Sequence, residues 1–121
     1  MSEKNCILVC VTVQKDCARL IREGRRMAEE KGERLHVLHV SAGKNPLGNP
    51  AAAEALNELF SLAHEVDAEM NILYDANVVD SIVRYAKEQS ASLLVLGPDH
   101  SGIAGQLRVR LPETVELHQM I

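Results

Sequence analysis

Flat side chains are scarce in this sequence, with two tyrosines, one phenylalanine and no tryptophan among 121 residues. Proteins that stack single-stranded bases rely on aromatic platforms, so the scarcity argues against that class. An excess of positive charge is also lacking: the formal net charge is −4. Non-specific nucleic-acid binding needs basic side chains to neutralise phosphates, and this balance disfavours it. Long apolar runs are missing as well. The first, in MSEKNCILVCVTV, covers about eight residues before Gln14 and Lys15. That is short for a signal-peptide core, no small-residue cleavage site follows it, and nothing later approaches a membrane span. Cysteine is limited to Cys6, Cys10 and Cys17, an odd number near the start. Without an export signal these read as reduced thiols, and the expectation is a cytoplasmic chain with no membrane insertion.

What is present is regular. Length and an apolar content of 46% point to one domain over residues 1–121 with a real core. Cys6 to Thr12 is a continuous apolar run of strand length, as expected of a strand buried on both faces. Cys17, Leu20, Ile21, Gly24, Met27 and Ala28 then repeat with helical period, Asp16 being the candidate cap and Gly32 the candidate stop. Leu35 to Val40 reads as a second strand and Ser41 to Pro50 as a Gly- and Pro-rich loop. A second helix carries Ala52, Leu56, Leu59, Phe60 and Ala63 on one face. Ala68, Met70, Ile72 and Tyr74 alternate with polar residues, which suggests a strand nearer the sheet edge.

Asn77 opens a third helix with Asp80 three residues on and Val79, Ile82, Val83 and Ala86 facing inward. Ser92 to Leu96 is a fourth buried strand. Ile103 to Arg110 fits two turns of helix, Pro112 interrupts, and Val115, Leu117, Met120 and Ile121 suggest a last strand. Strand alternating with helix throughout predicts an α/β three-layer sandwich around a parallel five-stranded sheet, most simply in the order 3-2-1-4-5, a Rossmann-like arrangement. Ligands in such sheets bind at the carboxyl ends of the strands where winding reverses. Here those ends are Thr12-Val13-Gln14 and Gly97 onward.

The second of these ends, LVLGPDHSGIAGQLRVR, holds Gly97, Gly102 and Gly105. Glycine permits positive φ and close backbone approach, so amide groups can point at an anion. A helix starting near Ile103 would add its N-terminal dipole, and Arg108 or Arg110 a counter-charge. The spacing matches neither a Walker A loop, which needs Lys and Ser/Thr where Ile103 and Ala104 stand, nor a dinucleotide fingerprint, since the first turn has no glycine. On spacing alone, a turn that merely ends a buried strand has a slight edge over a phosphate cradle.

Other chemistries find little support. Cys6 and Cys10 lie on one strand face about 13 Å apart, too far for a disulfide or a shared metal. Cys17 sits on the inward stripe of the first helix. His36 and His39 are an odd number apart on a strand, face opposite ways and cannot chelate together. His100, beside Asp99 in the candidate loop, could touch a phosphate or serve as an acid–base group, though a solvated role is the plainer reading. No nucleophile elbow is present. A phosphoacceptor domain would need acidic residues after the first strand, where Thr12-Val13-Gln14-Lys15 stand, despite Asp75 after the third. Lys15, Arg19, Arg22 and Arg26 form a basic stripe that could dock an acidic partner, but Glu23, Glu29 and Glu30 beside it make a solvated face the simpler reading.

The pattern ILVCVTVQKDCARLIREGRRMAEEKGERLHVLHV, then VVDSIVRYAKEQSASLLVLG, then a glycine-rich loop, resembles the universal stress protein family over nearly the whole chain. The ending LRVRLPETVELHQMI looks closest to the universal-stress-like domain of potassium-sensing histidine kinases. The resemblance implies five parallel strands, frequent dimerisation through the last strand and, in one branch, ATP binding. Nucleotide-binding members carry an Asp at the end of the first strand and a G-x2-G-x9-G-[S/T] signature after the fourth. The Asp position falls on Thr12, followed by Val13 and Gln14. Val40 matches the small apolar residue against which adenine packs, and Gly97 matches the first glycine. The second falls on His100, or on Gly102 if a gap is allowed. The closing pair falls near Arg110 and Leu111 and is absent.

The chain therefore resembles a member whose adenine-nucleotide site is degraded or remodelled, with Gly105 and Arg108 as further candidate contacts. The favoured expectation is a non-enzymatic regulatory or sensory domain with no catalytic and no metal residues. Its only candidate cofactor is ATP or another adenine nucleotide. A homodimer would form through Val115, Leu117 and Met120 on the last strand, whose exposed edge otherwise lacks a partner. Two alternatives stand beside it: a weak ATP hydrolase using His100 or Asp99, and an interaction domain that meets a protein partner through Arg19 and Arg22 or the edge strand.

Overall fold

The computed structural model describes residues 5–11, 17–41, 50–97 and 102–120. Nine elements alternate: β1 (Cys6–Cys10), α1 (Cys17–Lys31), β2 (Arg34–Ser41), α2 (Pro50–Glu65), β3 (Glu69–Tyr74), α3 (Val78–Glu88), β4 (Ala91–Leu96), α4 (Ile103–Arg110) and β5 (Glu116–Gln119). The strands form one sheet in the order β3-β2-β1-β4-β5, every pair parallel. Fold and strand order are those the alternation of sequence patterns predicts.

The central strands have little choice of place. Residues 6 to 9 of β1 and 93 to 96 of β4 are all buried, so continuous apolar runs meet protein on both faces. Edge strands β3 and β5 have the intermediate, interrupted burial expected of strands covered on one side. On one face Ile7, Val9, Leu35, Val37, Leu93 and Val95 pack against Leu20, Ile21 and Ala28 of α1 and Leu56, Leu59 and Ala63 of α2. On the other, Cys6, Leu8, Leu38, Leu94 and Leu96 pack against Val79, Ile82, Val83 and Ala86 of α3 and Ala104 and Leu107 of α4. The sheet is thus doubly wound, with its reversal between β1 and β4.

Two local features bring the layers together. Gly24 lies where α1 crosses the sheet, and a Cβ there would run into Val9 Cγ2 and press on Leu35. Gly32 follows α1 at φ +65, the left-handed residue that ends the helix, as the sequence suggests. One expectation fails. Phe60, placed on the inward face of α2 by its period, is 45% exposed, while Leu62 and Val66 complete that contact instead. The buried stripe runs through Leu56, Leu59 and Ala63 with Leu62 and Val66 beside it, which leaves Phe60 at its outer margin. The cap Asp16 and the loop residues 42 to 49 lie outside the described residues, and so does the side chain of Cys17.

Candidate functional site

The reversal of winding puts the carboxyl ends of β1 and β4 side by side, with Val9 opposite Val95. Beyond β1 the backbone stays in register for one more residue, since the Val11 amide donates to Leu38 O at 2.9 Å. Val11 is 4% exposed and closes the core there. Thr12, Val13 and Gln14, three of the sequence-derived candidates, lie outside the described residues, as do His100 and Asp99.

At the end of β4, Gly97 sits directly under α1: a Cβ would come within 3.0 Å of a Leu20 methyl. Its small size serves helix packing, whatever else it does. The Gly97 carbonyl accepts from Gln119 Nε2 at 3.4 Å, and the Met120 amide donates to Leu96 O at 2.8 Å, so the end of β5 laces onto the end of β4. Gln119 had no signal in the sequence, because its partner is a backbone atom on a different strand.

Gly102 is the N-cap of α4 at φ +81, a left-handed backbone that other residues adopt only with strain, and no side-chain cap bond accompanies it. Gly105 is different. It lies within the first turn of α4 rather than in the loop before it, exposed, with open space around a would-be Cβ. First-turn amides of a helix have no carbonyl partner within the helix itself, and the helix dipole points the same way. Val40, the candidate adenine contact, is half-buried near the carboxyl end of β2. Arg108 is exposed on α4. Arg110 is committed elsewhere, since it forms an ion pair with Asp80 in the first turn of α3 and ties the two helices together.

Asp75, at the end of β3, also has a local occupation. Its carboxylate accepts from Ser81 Oγ at 2.7 Å and from the Asn77 amide at 2.9 Å, while Asn77 Oδ1 caps α3 by accepting from the Asp80 amide at 3.0 Å. The Ser81 bond first, then the Asn77 bond, hold its carboxyl below the usual carboxylate range. Burial pushes the Cys6 thiol up to about 11 and the Cys10 thiol further still, which disfavours their reactive thiolate forms. Among the described residues no helix is long and apolar enough to cross a membrane.

His36 and His39 do face opposite sides of the sheet. Toward α3, His36 Nδ1 lies 2.9 Å from Tyr85 Oη and 3.1 Å from Glu69 Oε2, and Asn71 Nδ2 donates to the same Tyr85 oxygen at 2.6 Å. Toward α1, His39 is 7% exposed and its Nδ1 lies 3.0 Å from Val11 O.

A doubly wound parallel sheet whose switch point carries a glycine-shaped helix N-terminus defines a class of α/β domains that take ligands at that crevice. Within it, the chain belongs to the universal stress protein family, whose family model matches residues 5–115. Among curated relatives it is 34% identical over 100 residues to the sensor protein KdpD of Clostridium acetobutylicum, a match that covers 83% of this chain and 11% of that protein. The chain thus spans about a tenth of the length of this relative. Among solved structures, the universal stress protein of Archaeoglobus fulgidus in complex with dAMP superposes with a TM-score of 0.73 at 24% identity, covering 93% of this chain and 96% of that one. A universal stress protein in complex with cAMP superposes with the same score at 18% identity, covering 99% and 98%.

Proposed function

We propose that this chain is a non-enzymatic regulatory domain that takes an adenine nucleotide in the crevice between the ends of β1 and β4. One observation carries the proposal: at the switch point a left-handed Gly102, with open space where a Cβ would stand, starts α4. Two structural neighbours are complexes with dAMP and cAMP, which supports an adenine ligand. The site is a reduced one. Thr12 replaces a carboxylate, the closing Gly-Ser/Thr pair is missing, and Arg110 is spent on Asp80. A base and a single phosphate fit these remaining features better than a tightly held triphosphate. The resemblance to KdpD supports a role in signalling, and the open β5 edge supports a homodimer.

A thermal-shift titration with ATP, ADP, AMP, dAMP and cAMP, with and without Mg²⁺, tests this reading. A ligand at a hundred times its dissociation constant stabilises the fold by about 2.7 kcal/mol, which is readily seen as a raised midpoint. The expected result is a shift with wild type that is lost in Gly102→Val, measured against that variant's own midpoint. A flat response to all five nucleotides refutes the reading. Phosphate release from ATP that disappears in His100→Ala would make the protein an enzyme instead.

A further inference from the structure

We propose that the cluster around His36 is an acid-operated clasp: when its imidazole takes up a proton, the cluster lets go of the edge strand β3 while the rest of the sheet stays folded. The inference stands apart from the nucleotide reading and from the crevice. His36 projects from β2 toward α3, is 3% exposed, and meets the Tyr85 ring edge-on with centroids 5.9 Å apart. Its Nδ1 lies 2.9 Å from Tyr85 Oη. β3 reaches into the same cluster with two side chains. Glu69 Oε2 lies 3.1 Å from His36 Nδ1, and Asn71 Nδ2 donates to Tyr85 Oη at 2.6 Å. A carboxylate only accepts, so Nδ1 carries the proton of the neutral ring and a second proton goes to Nε2. That proton puts a charge on a ring enclosed by protein, and the charge is relieved where the ring meets water.

Two features make β3 the part that yields. β2 is paired on both sides, whereas among the described residues β3 pairs with β2 alone. Of the alternate residues that β3 turns toward α3, only Leu73 packs against the apolar core, and Glu69 and Asn71 hold by polar contacts. Segments with few apolar contacts open at lower cost than the whole molecule. The charged and titratable groups facing the cluster are Cys6 on β1, Arg34 on β2, Glu69 on β3, Tyr85 on α3 and Glu33 before β2. Burial pushes the Cys6 thiol up to about 11 and the Tyr85 hydroxyl up to about 12, so neither changes charge near pH 6. Burial also holds the His36 imidazole below its ordinary range, with Glu69 opposing that shift and Arg34 adding to it. If the open form has an ordinary histidine, near 6.5, its population rises about tenfold between pH 7.5 and 5.5.

The test is native-state hydrogen exchange at these two pH values, expressed as protection factors so that the intrinsic pH dependence of exchange cancels. In wild type, protection of the β3 amides bonded to β2 should fall about tenfold relative to the amides of β1 and β4. The ratio should be independent of pH in His36→Gln. It should still respond in Glu69→Gln, which removes the neighbouring charge and keeps the histidine. A response that survives in His36→Gln, or vanishes in Glu69→Gln, overturns the proposal. An equal fall in every strand of the wild type, or no fall in β3, overturns it as well. So does a native His36 ring that titrates above 6.5 by NMR. Should His36→Gln not fold, the strand-by-strand comparison in wild type, the His36 titration and Glu69→Gln carry the decision.

Discussion

Three glycines of this chain do different physical work. Gly24 allows α1 to lie directly on β1, because any Cβ would strike Val9. Gly102 is required by its backbone, at φ +81. Gly105 is required by neither, since it is exposed in a helix with open space around it. Alanine therefore has opposite effects at the first and last. Gly24→Ala should cost about 1–3 kcal/mol through overpacking, which outweighs the helix propensity it gains. Gly105→Ala should be neutral or stabilising by up to about 1 kcal/mol, as its gain in helix propensity meets no clash. Urea denaturation of both variants checks the pair, and a stabilised Gly24→Ala would refute the packing account. The sequence sets Gly24 apart on the inward stripe of a helix but gives Gly102 and Gly105 alike to one loop, and only the φ and the helix start separate those two.

Between elements, the cluster around His36 clasps β2, β3 and α3 together through Tyr85, Asn71 and Glu69. Burial pushes the His36 imidazole below its usual range and the Tyr85 hydroxyl up to about 12, with Glu69 opposing the first shift and adding to the second. The sign for stability follows from the lowered histidine. As pH falls below about 6.5, the unfolded chain takes up a proton that the native His36 still refuses, so native stability drops until His36 itself protonates. Replacing His36 with Gln should flatten that part of the stability profile. Urea midpoints of both proteins at pH 7.5 and 5.5 test this, and parallel losses on acidification would remove His36 as the cause. Helix ends show a related contrast between sequence and structure. Gly32 and Asn77 announce the end of α1 and the start of α3, whereas α2 and α3 finish beside Asp67 and Ser90, left-handed at φ 56 and 57 with no glycine to signal them.

For the molecule as a whole, no strand among the described residues pairs with the outer edge of β5. Val115 and Leu117 are partly buried against the α3/α4 side and Met120 against the α1/α2 side, so this strand offers its backbone more than an apolar surface. Pairing of two β5 edges predicts a sedimentation mass of about twice 13.3 kDa at micromolar concentration. A monomer over the whole accessible range would remove the dimer from the functional reading.

Strand and helix succession, the parallel sheet and its order were determined by the sequence itself, because continuous apolar runs and helical periods state which faces must be buried. The candidate crevice was also legible, since strand order places the switch point wherever β1 and β4 end. What only the tertiary structure decided concerns partners distant in sequence. Arg110 pairs with Asp80 rather than standing free for a phosphate, Gln119 meets the Gly97 carbonyl, and His39 reaches the carbonyl of Val11. Spacing along the chain carries the periodicity of burial but not the identity of a backbone atom on a neighbouring strand, and it is such atoms that shape this site.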